Sequence, residues 1–240
     1  MDEVLRRIMS LLLLTISLPI HAGIVITGTR VIYPASKPEV SVSLTNKGKQ
    51  DTLVQSWIDT GDPVISPEKI DSPFAVIPPI SRVNGGKGQS LRIIYTGSQL
   101  PADRESVFWL NVLAIPPKIP ENEESKSQYL KVAFQTRIKV FYRPKGLEIN
   151  SDVAPSKLQW RKVAGQINIT NPTPYYISVA SVTWKINAKE YGIDGDMVAP
   201  FSNVTLMVKE SLDDAREITF AVVNDRGAIN YFNAILKSQE

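Results

Sequence analysis

The chain has 240 residues, enough for two ordinary domains, and it contains no cysteine and one histidine, His21. Its formal charge of +3 is spread along the sequence without a dense basic run, which argues against nucleic-acid binding. Once His21 is removed with the segment described next, Ser-His-Asp and Cys-His catalytic sites and His or thiolate metal sites are excluded. Paired carboxylates remain possible in principle, as in glycoside hydrolysis, but the pairs Glu123-Glu124 and Asp213-Asp214 sit in polar surroundings typical of a solvated surface. We therefore expect no enzyme, no metal and no cofactor.

The N-terminus predicts a secretory signal peptide over residues 1–22. Arg6 and Arg7 precede a mostly apolar, uncharged run over residues 8–18, and Ala22 supplies a small residue at the cleavage site. A transmembrane helix would need about 20 apolar residues, and this run is shorter. We expect an exported, soluble chain that does not insert into the membrane and whose cores hold together without disulfides.

Most later segments alternate apolar and polar residues with period two and are rich in β-branched and aromatic residues, as in residues 40–44. Seven strand candidates fall before residue 144 and seven after residue 156, which predicts an all-β protein of two immunoglobulin-like β-sandwiches. Proline and glycine at 144 and 146 interrupt the pattern. We expect domains over 23–143 and 152–240, joined by a hinge over 144–151.

The glycine-rich stretch at residues 84–88 is superficially similar to a phosphate-binding loop. Its spacing differs from that of a phosphate loop, and a strand candidate follows it rather than a helix. We predict a hairpin turn.

Residues 129–143 form an unusually long strand candidate of fifteen residues without Gly or Pro. At about 3.4 Å per residue it would reach roughly 50 Å, more than one small sandwich needs. Leu130, Val132 and Phe134 alternate along its first part. They either fill the core of the first domain or belong to an exposed edge that donates backbone groups and apolar side chains to another protein's incomplete sheet.

Two basic residues lie far apart in sequence, Arg30 in the first strand candidate and Lys139 late in the long one. If the first and last strands of the sandwich are neighbours, the two side chains converge near the hinge. A cleft between two domains lined by Arg and Lys suits a carboxylate. Ordinary surface charge is the alternative interpretation.

The stretch "LPADRESVFWLNVLAIP" at residues 100–116 sets three consecutive charges against an apolar strand. One interpretation is a solvated loop-to-strand junction. Taken together with "RIKVFYRP" at 137–144 and "NPTPYY" at 171–176, however, the stretch resembles the signature of the periplasmic chaperones of bacterial pilus assembly. The resemblance covers the whole chain after the signal peptide.

This resemblance implies two immunoglobulin-like domains set at an angle, with a cleft between them. Arg30 and Lys139 would anchor the C-terminal carboxylate of a pilus subunit in that cleft. Leu130, Val132 and Phe134 would enter the groove that the subunit leaves open because it lacks its own last strand.

The resemblance also gives the charged junction a role, because Glu105 would pair with Arg143 and Asp225, join the domains and fix their angle. The implied function is a periplasmic chaperone that binds pilus subunits, prevents their premature polymerisation and delivers them to an outer-membrane usher. The cysteine-free connection between Pro116 and Tyr129, twelve residues long, resembles the short-loop branch of the family. The alternative is a secreted two-domain structural or adhesive protein.

Overall fold

The computed structural model describes residues 23–62, 64, 66–97, 99–117, 132–209, 212 and 214–238. The predicted signal peptide, the donor-strand residue Leu130 and the 118–131 connection, which includes most of the predicted short loop, lie outside these residues. Nearly all regular structure in the described part is β-strand. The prediction of an all-β protein with two immunoglobulin-like sandwiches is confirmed.

In its described residues the first sandwich has nine strands, and its core lies between two sheets. The strands are β1 (Ile24–Ile26), β2 (Arg30–Pro34), β3 (Glu39–Asn46), β4 (Thr52–Asp59), β5 (Phe74–Ile77), β6 (Ile80–Val83), β7 (Gly88–Tyr95), β8 (Ser106–Ile115) and β9 (Phe134–Arg143). One sheet has the order β1-β3-β7-β5 and the other the order β2-β9-β8-β4-β6. Alternate side chains such as Leu44, Leu91 and Leu110 are fully buried between them, as the period-two pattern requires.

The second sandwich follows the same plan. Its strands are β10 (Gln159–Val163), β11 (Gln166–Asn171), β12 (Ile177–Ile186), β13 (Lys189–Asp194), β14 (Met197–Val198), β15 (Ser202–Leu206), β16 (Glu217–Val223), β17 (Ile229–Ile235) and β18 (Lys237–Ser238). The sheets have the orders β15-β11-β10-β18 and β13-β12-β16-β17, and β14 pairs with β12. Trp160, Trp184 and Phe220 are buried in this core, and each large apolar side chain contributes about 2 kcal/mol or more to stability.

The segment between the sandwiches is tied to the second one. Leu147 and Ile149 pack against the second core, and the Tyr175 hydroxyl donates a hydrogen bond to the Ile149 carbonyl. The stretch predicted as a hinge is therefore anchored to the second sandwich at Leu147 and Ile149.

The glycine-rich stretch at 84–88 is not a hairpin, and the prediction of one is wrong. It connects β6 to β7, which belong to different sheets and do not pair. A side chain at Gly85 would clash with the Lys49 backbone, and Gly86 adopts a positive φ of 72°. The glycines are needed because the chain passes from one sheet to the other against a neighbouring turn.

The long strand predicted at 129–143 begins, within the described residues, at Phe134, and Val132 lies just before it without strand pairing. Its neighbour β8 ends at Ile115, where two prolines follow. Proline has no N–H to donate to a ladder, so the pairing stops there.

Asn171 in the second sandwich provides a test of the packing next to the hinge. Its buried Nδ2 donates to the carbonyls of Tyr175, Ala199 and Val198 at 2.7, 3.0 and 3.2 Å. Asn171→Ala leaves these carbonyls without their donor, and we expect the second domain to lose about 3 kcal/mol in urea unfolding followed by tryptophan fluorescence. Asn168→Ala loses one exposed hydrogen bond to Thr205 and a long one, 3.4 Å, from Thr170, and it should change the free energy of unfolding by less than about 0.5 kcal/mol. Equal effects would contradict this assignment.

Candidate functional site

Arg30 and Lys139 lie side by side in the first sandwich. The parallel pairing of β2 with β9 sets Arg30, the first residue of β2, directly opposite Lys139. Both residues are half-buried. The structure thus brings together the two basic residues that the sequence suggested as a pair.

These two cations have no acidic partner at close range. Within the described residues neither Arg30 nor Lys139 takes part in an ion pair. Arg30 Nη1 donates to the Val223 carbonyl of the second sandwich at 2.8 Å, whereas its buried Nε has no hydrogen-bond partner. Two partly desolvated positive charges of this kind gain from a bound anion.

The electrostatics of Lys139 reflect the same situation. Burial lowers the pKa of the Lys139 ammonium, the positive charge of Arg30 lowers it further, and Asp196 of the second sandwich acts in the opposite direction. Burial also lowers the pKa of Arg30, against the opposite effect of Asp225 and Glu105. An anion between the two side chains would counter both effects.

A free strand edge leads up to this pair of cations. On one side, β9 pairs with β8 along nearly its whole length. On the other side, β2 covers only residues 139–143. Within the described part of the chain no strand pairs with that side of residues 134–138, so their backbone groups on this edge are open to another strand.

The apolar side chains at the start of this edge face outward. Phe134 is 70% exposed and Val132 is 45% exposed, whereas Ile138 and Val140, farther along, are buried in the first core. This stretch was interpreted either as part of the first core or as an exposed edge. Phe134 and Val132 therefore do not fit the interpretation as core residues.

The interface between the sandwiches contains an ion-pair network built on Glu105 and Arg143. Glu105 is only 3% exposed; its Oε1 accepts a hydrogen bond from Arg143 Nε at 2.7 Å and its Oε2 accepts one from the Tyr176 amide at 2.8 Å. Arg143 also binds Asp225 through both terminal nitrogens, at 2.7 and 2.9 Å. Glu105 and Arg143 belong to the first sandwich and Asp225 to the second, so the network spans the interface.

Burial and pairing compete within this network. Burial raises the pKa of Glu105 despite the opposing effect of Arg143. Burial acts the same way on Asp225, but hydrogen bonds from Arg143 and Ser151 outweigh it, and the pKa of Asp225 is lowered. The Arg143 guanidinium has its pKa raised, because its two carboxylate partners outweigh burial. Arg143 is therefore held as a cation between two acids.

Further contacts across the interface had no signal in the sequence. Gly227, in the turn between β16 and β17, has a φ of 83°, and a side chain there would clash with the Thr29 hydroxyl. The Arg104 guanidinium lies 4.8 Å from the centre of the Phe201 ring. Neither contact is visible in local sequence patterns, because each joins residues from different domains.

A second polar network lies on the face of the first sandwich that carries Lys139. Arg137 makes an ion pair with Asp59, and its guanidinium lies 4.8 Å from the centre of the Trp109 ring. Asp59 also accepts a hydrogen bond from Asn111 Nδ2 at 2.6 Å, and Asn111 in turn accepts one from Gln135 Nε2 at 2.8 Å. The network thus binds the side chains of the free-edge residues Gln135 and Arg137 to β4 and β8.

Comparison with known families identifies both halves of the chain. Residues 23–148 match the family described as "Pili and flagellar-assembly chaperone, PapD N-terminal domain". Residues 153–234 match the family described as "Pili assembly chaperone PapD, C-terminal domain". In the described residues no helix is long and apolar enough to cross a membrane.

Individual relatives agree with these matches. The probable fimbrial chaperone YadV of Escherichia coli K12 is 44% identical over 222 residues, which is 90% of each chain. Its crystal structure superposes with a TM-score of 0.77, covering 90% of this chain and 100% of that one. The SafB chaperone of Salmonella enterica, solved in complex with the SafA pilin, matches with a TM-score of 0.75 at 26% identity, covering 92% and 99% of the two chains.

The interdomain network leads to a stability prediction. Glu105→Ala leaves Arg143 and the Tyr176 amide without a buried partner, and we expect a loss of about 3 kcal/mol in the free energy of unfolding. Small-angle X-ray scattering should also show a wider range of interdomain arrangements. The matched control is Asp103→Ala, two positions before Glu105, which removes an exposed carboxylate paired with the adjacent Arg104. It should leave both measurements unchanged; an equal response of the two variants would contradict a special role for Glu105.

Proposed function

The chain belongs to the PapD family of pilus-assembly chaperones, and from this membership and the cleft geometry we propose that Arg30 and Lys139 anchor the C-terminal carboxylate of a pilus subunit. One observation carries the proposal: two adjacent cations with no acid in ion-pair range among the described residues stand where the free edge of β9 ends. A carboxylate at this point accepts hydrogen bonds from Arg30 and neutralises Lys139.

The geometry also sets the direction of the bound strand. A subunit strand that ends at Arg30 and covers residues 134–138 lies in line with β2, on the same side of β9. Its C-terminus meets the first residue of β2, and β2 runs parallel to β9. The subunit strand therefore also runs parallel to β9, with its last residue beside Lys139.

The exposed apolar side chains supply the second half of the interaction. Val132 and Phe134, and Leu130 before them, alternate in sequence, so in an extended chain they point to one side. We propose that they fill the groove left by the missing strand of the subunit. Burying a Phe side chain that is 70% exposed in the free chaperone contributes about 2 kcal/mol to the complex.

The wider assignment follows the same proposal. The chaperone acts in the periplasm, without catalysis, holds the subunit until an outer-membrane usher receives it, and prevents premature polymerisation by occupying the open groove. The Glu105, Arg143 and Asp225 network fixes the angle at which domains 23–143 and 152–240 meet across the hinge at 144–151. The connection at 117–128 belongs to the short-loop type. Relatives that are named as chaperones match nearly the full chain, and this favours a chaperone role over a structural or adhesive one.

Co-purification from the periplasm tests the anchor. We expect the wild-type chain, co-expressed with the pilus subunits of its own bacterium, to yield a one-to-one complex that Arg30→Ala and Lys139→Ala abolish, because each removes a charge that the carboxylate needs. Arg92→Ala is the matched control, since Arg92 lies on the other sheet, exposed, beside Glu39. Normal recovery with the Arg30 or Lys139 variant, shown to be folded by circular dichroism, would rule out the anchor.

The donor edge is tested separately. Phe134→Glu places a charge where the subunit groove is apolar, so we expect the dissociation constant for the subunit to rise at least about tenfold. The free chaperone should keep its thermal midpoint, because Phe134 contributes little to the core. Ile80→Glu, at another exposed apolar position on β6, is the control and should leave binding unchanged. A drop in the thermal midpoint of Phe134→Glu would instead place this side chain in the core.

A further inference from the structure

Three basic residues alternate along β9, namely Arg137, Lys139 and Arg143. Because side chains two positions apart lie on the same face of a strand, all three belong to one face of the sheet, spaced about 7 Å apart between the first two. Arg137 and Lys139 lie along the edge where the proposed subunit strand binds, and Arg143 lies at the interface between the sandwiches. Only one of them, however, is free to receive a carboxylate.

Arg137 is occupied by a buried acid and is therefore not available to a subunit carboxylate. It forms an ion pair with Asp59, whose side chain is 4% exposed, and it stacks on Trp109. Asp59 is fixed in turn by the Asn111 amide group at 2.6 Å and by the Gly61 backbone amide at 2.7 Å. The negative charge that neutralises Arg137 is thus rigidly placed and largely shielded from water.

Arg143 is withheld in the same way at the other end, between Glu105 and Asp225. Lys139, between them, has no acid in ion-pair range within the described residues, and its strand neighbour Arg30 has none either. Along this face, Arg137 and Arg143 are therefore each neutralised by an acid, whereas Lys139 between them is not.

This order matters because strand pairing alone does not fix the position of a bound strand. A slip of one residue is opposed, since it turns every side chain to the wrong face. A slip of two residues keeps each side chain on its face and lets the backbone hydrogen-bond pattern repeat. If Arg137 carried a free charge, a carboxylate could dock there, two residues out of register.

We propose that Asp59 is a specificity-determining residue that withholds Arg137 from the subunit carboxylate and so fixes the register of the bound strand at Lys139. This inference rests on the proposed capture of a subunit carboxylate. Asp59 does not touch the subunit; it acts through Arg137. Its removal should change where the subunit strand lies rather than whether it binds.

Disulfide mapping reads the register directly. The chain has no cysteine, so Thr136→Cys, at an exposed position on the free edge, provides a single thiol. The probe is the pilus subunit recovered by co-purification, carrying one cysteine at successive positions of its last strand. In the otherwise unchanged chaperone we expect cross-linking to one subunit position. In Asp59→Asn we expect a second product, with a subunit position two residues nearer the C-terminus.

The controls distinguish a change in the register of the bound strand from a loss of folding or binding. Arg137→Gln removes the competing cation and should keep the single original product, and Asp59→Asn combined with Arg137→Gln should restore it. A folded Asp59→Asn chaperone that forms only the original cross-link would overturn the proposal. Absence of any complex with the unchanged chaperone would contradict the proposed function instead.

A second variant leaves Asp59 intact, in case Asp59→Asn does not fold. In Lys139→Gln the carboxylate has lost its ammonium partner, and the proposal predicts that Arg137 still does not take it up. The original cross-link should be lost or nearly lost, as the anchor proposal requires, and no shifted product should take its place. A shifted product in Lys139→Gln would show that Arg137 is available in the presence of Asp59, which would also overturn the proposal.

Discussion

The parallel pairing of β2 with β9, which begins at Arg30 and Lys139, is the constraint on which the rest of the structure depends. It sets two positive charges side by side, and among the residues that the structure describes it leaves the preceding half of β9 without a neighbour on one edge. In the proposed function, a strand edge and a carboxylate site therefore meet at one point. Backbone pairing along the edge would supply affinity for an extended chain of any sequence, and the cations would require that this chain end there.

The interface between the sandwiches supports this arrangement. The buried network of Glu105, Arg143 and Asp225 begins at the last residue of β9, and Arg30 donates across the interface to Val223. The strand that carries Lys139 is thus tied to the second sandwich at its C-terminal end. Buried ion pairs contribute little net stability but tolerate few alternative geometries, which suits an element that sets an orientation.

Much of the fold and part of the site could be predicted from the sequence. Alternation of apolar residues predicted the strands and the two sandwiches. The signature around Glu105 pointed to a network with Arg143 and Asp225, but Glu105 does not pair with Asp225: Arg143 lies between the two carboxylates and binds both. The start of β9 was missed, because the length of a paired strand depends on its neighbour, here on the prolines after β8. The prediction of a hairpin at 84–88 was wrong because local turn residues do not reveal which sheet the next strand joins. Asp59 was missed because only cross-strand register places it beside Arg137, 78 positions away.

The most direct test of the central claim compares two forms of one ligand. Titration calorimetry would measure the affinity of the wild-type chaperone for a synthetic peptide of a pilus subunit's last strand, made as the free acid and as the C-terminal amide. The account predicts that the acid binds at least about 30-fold more tightly, since only it can pair with Arg30 and Lys139. Equal affinities would contradict the carboxylate anchor and leave the strand edge as the whole of the site.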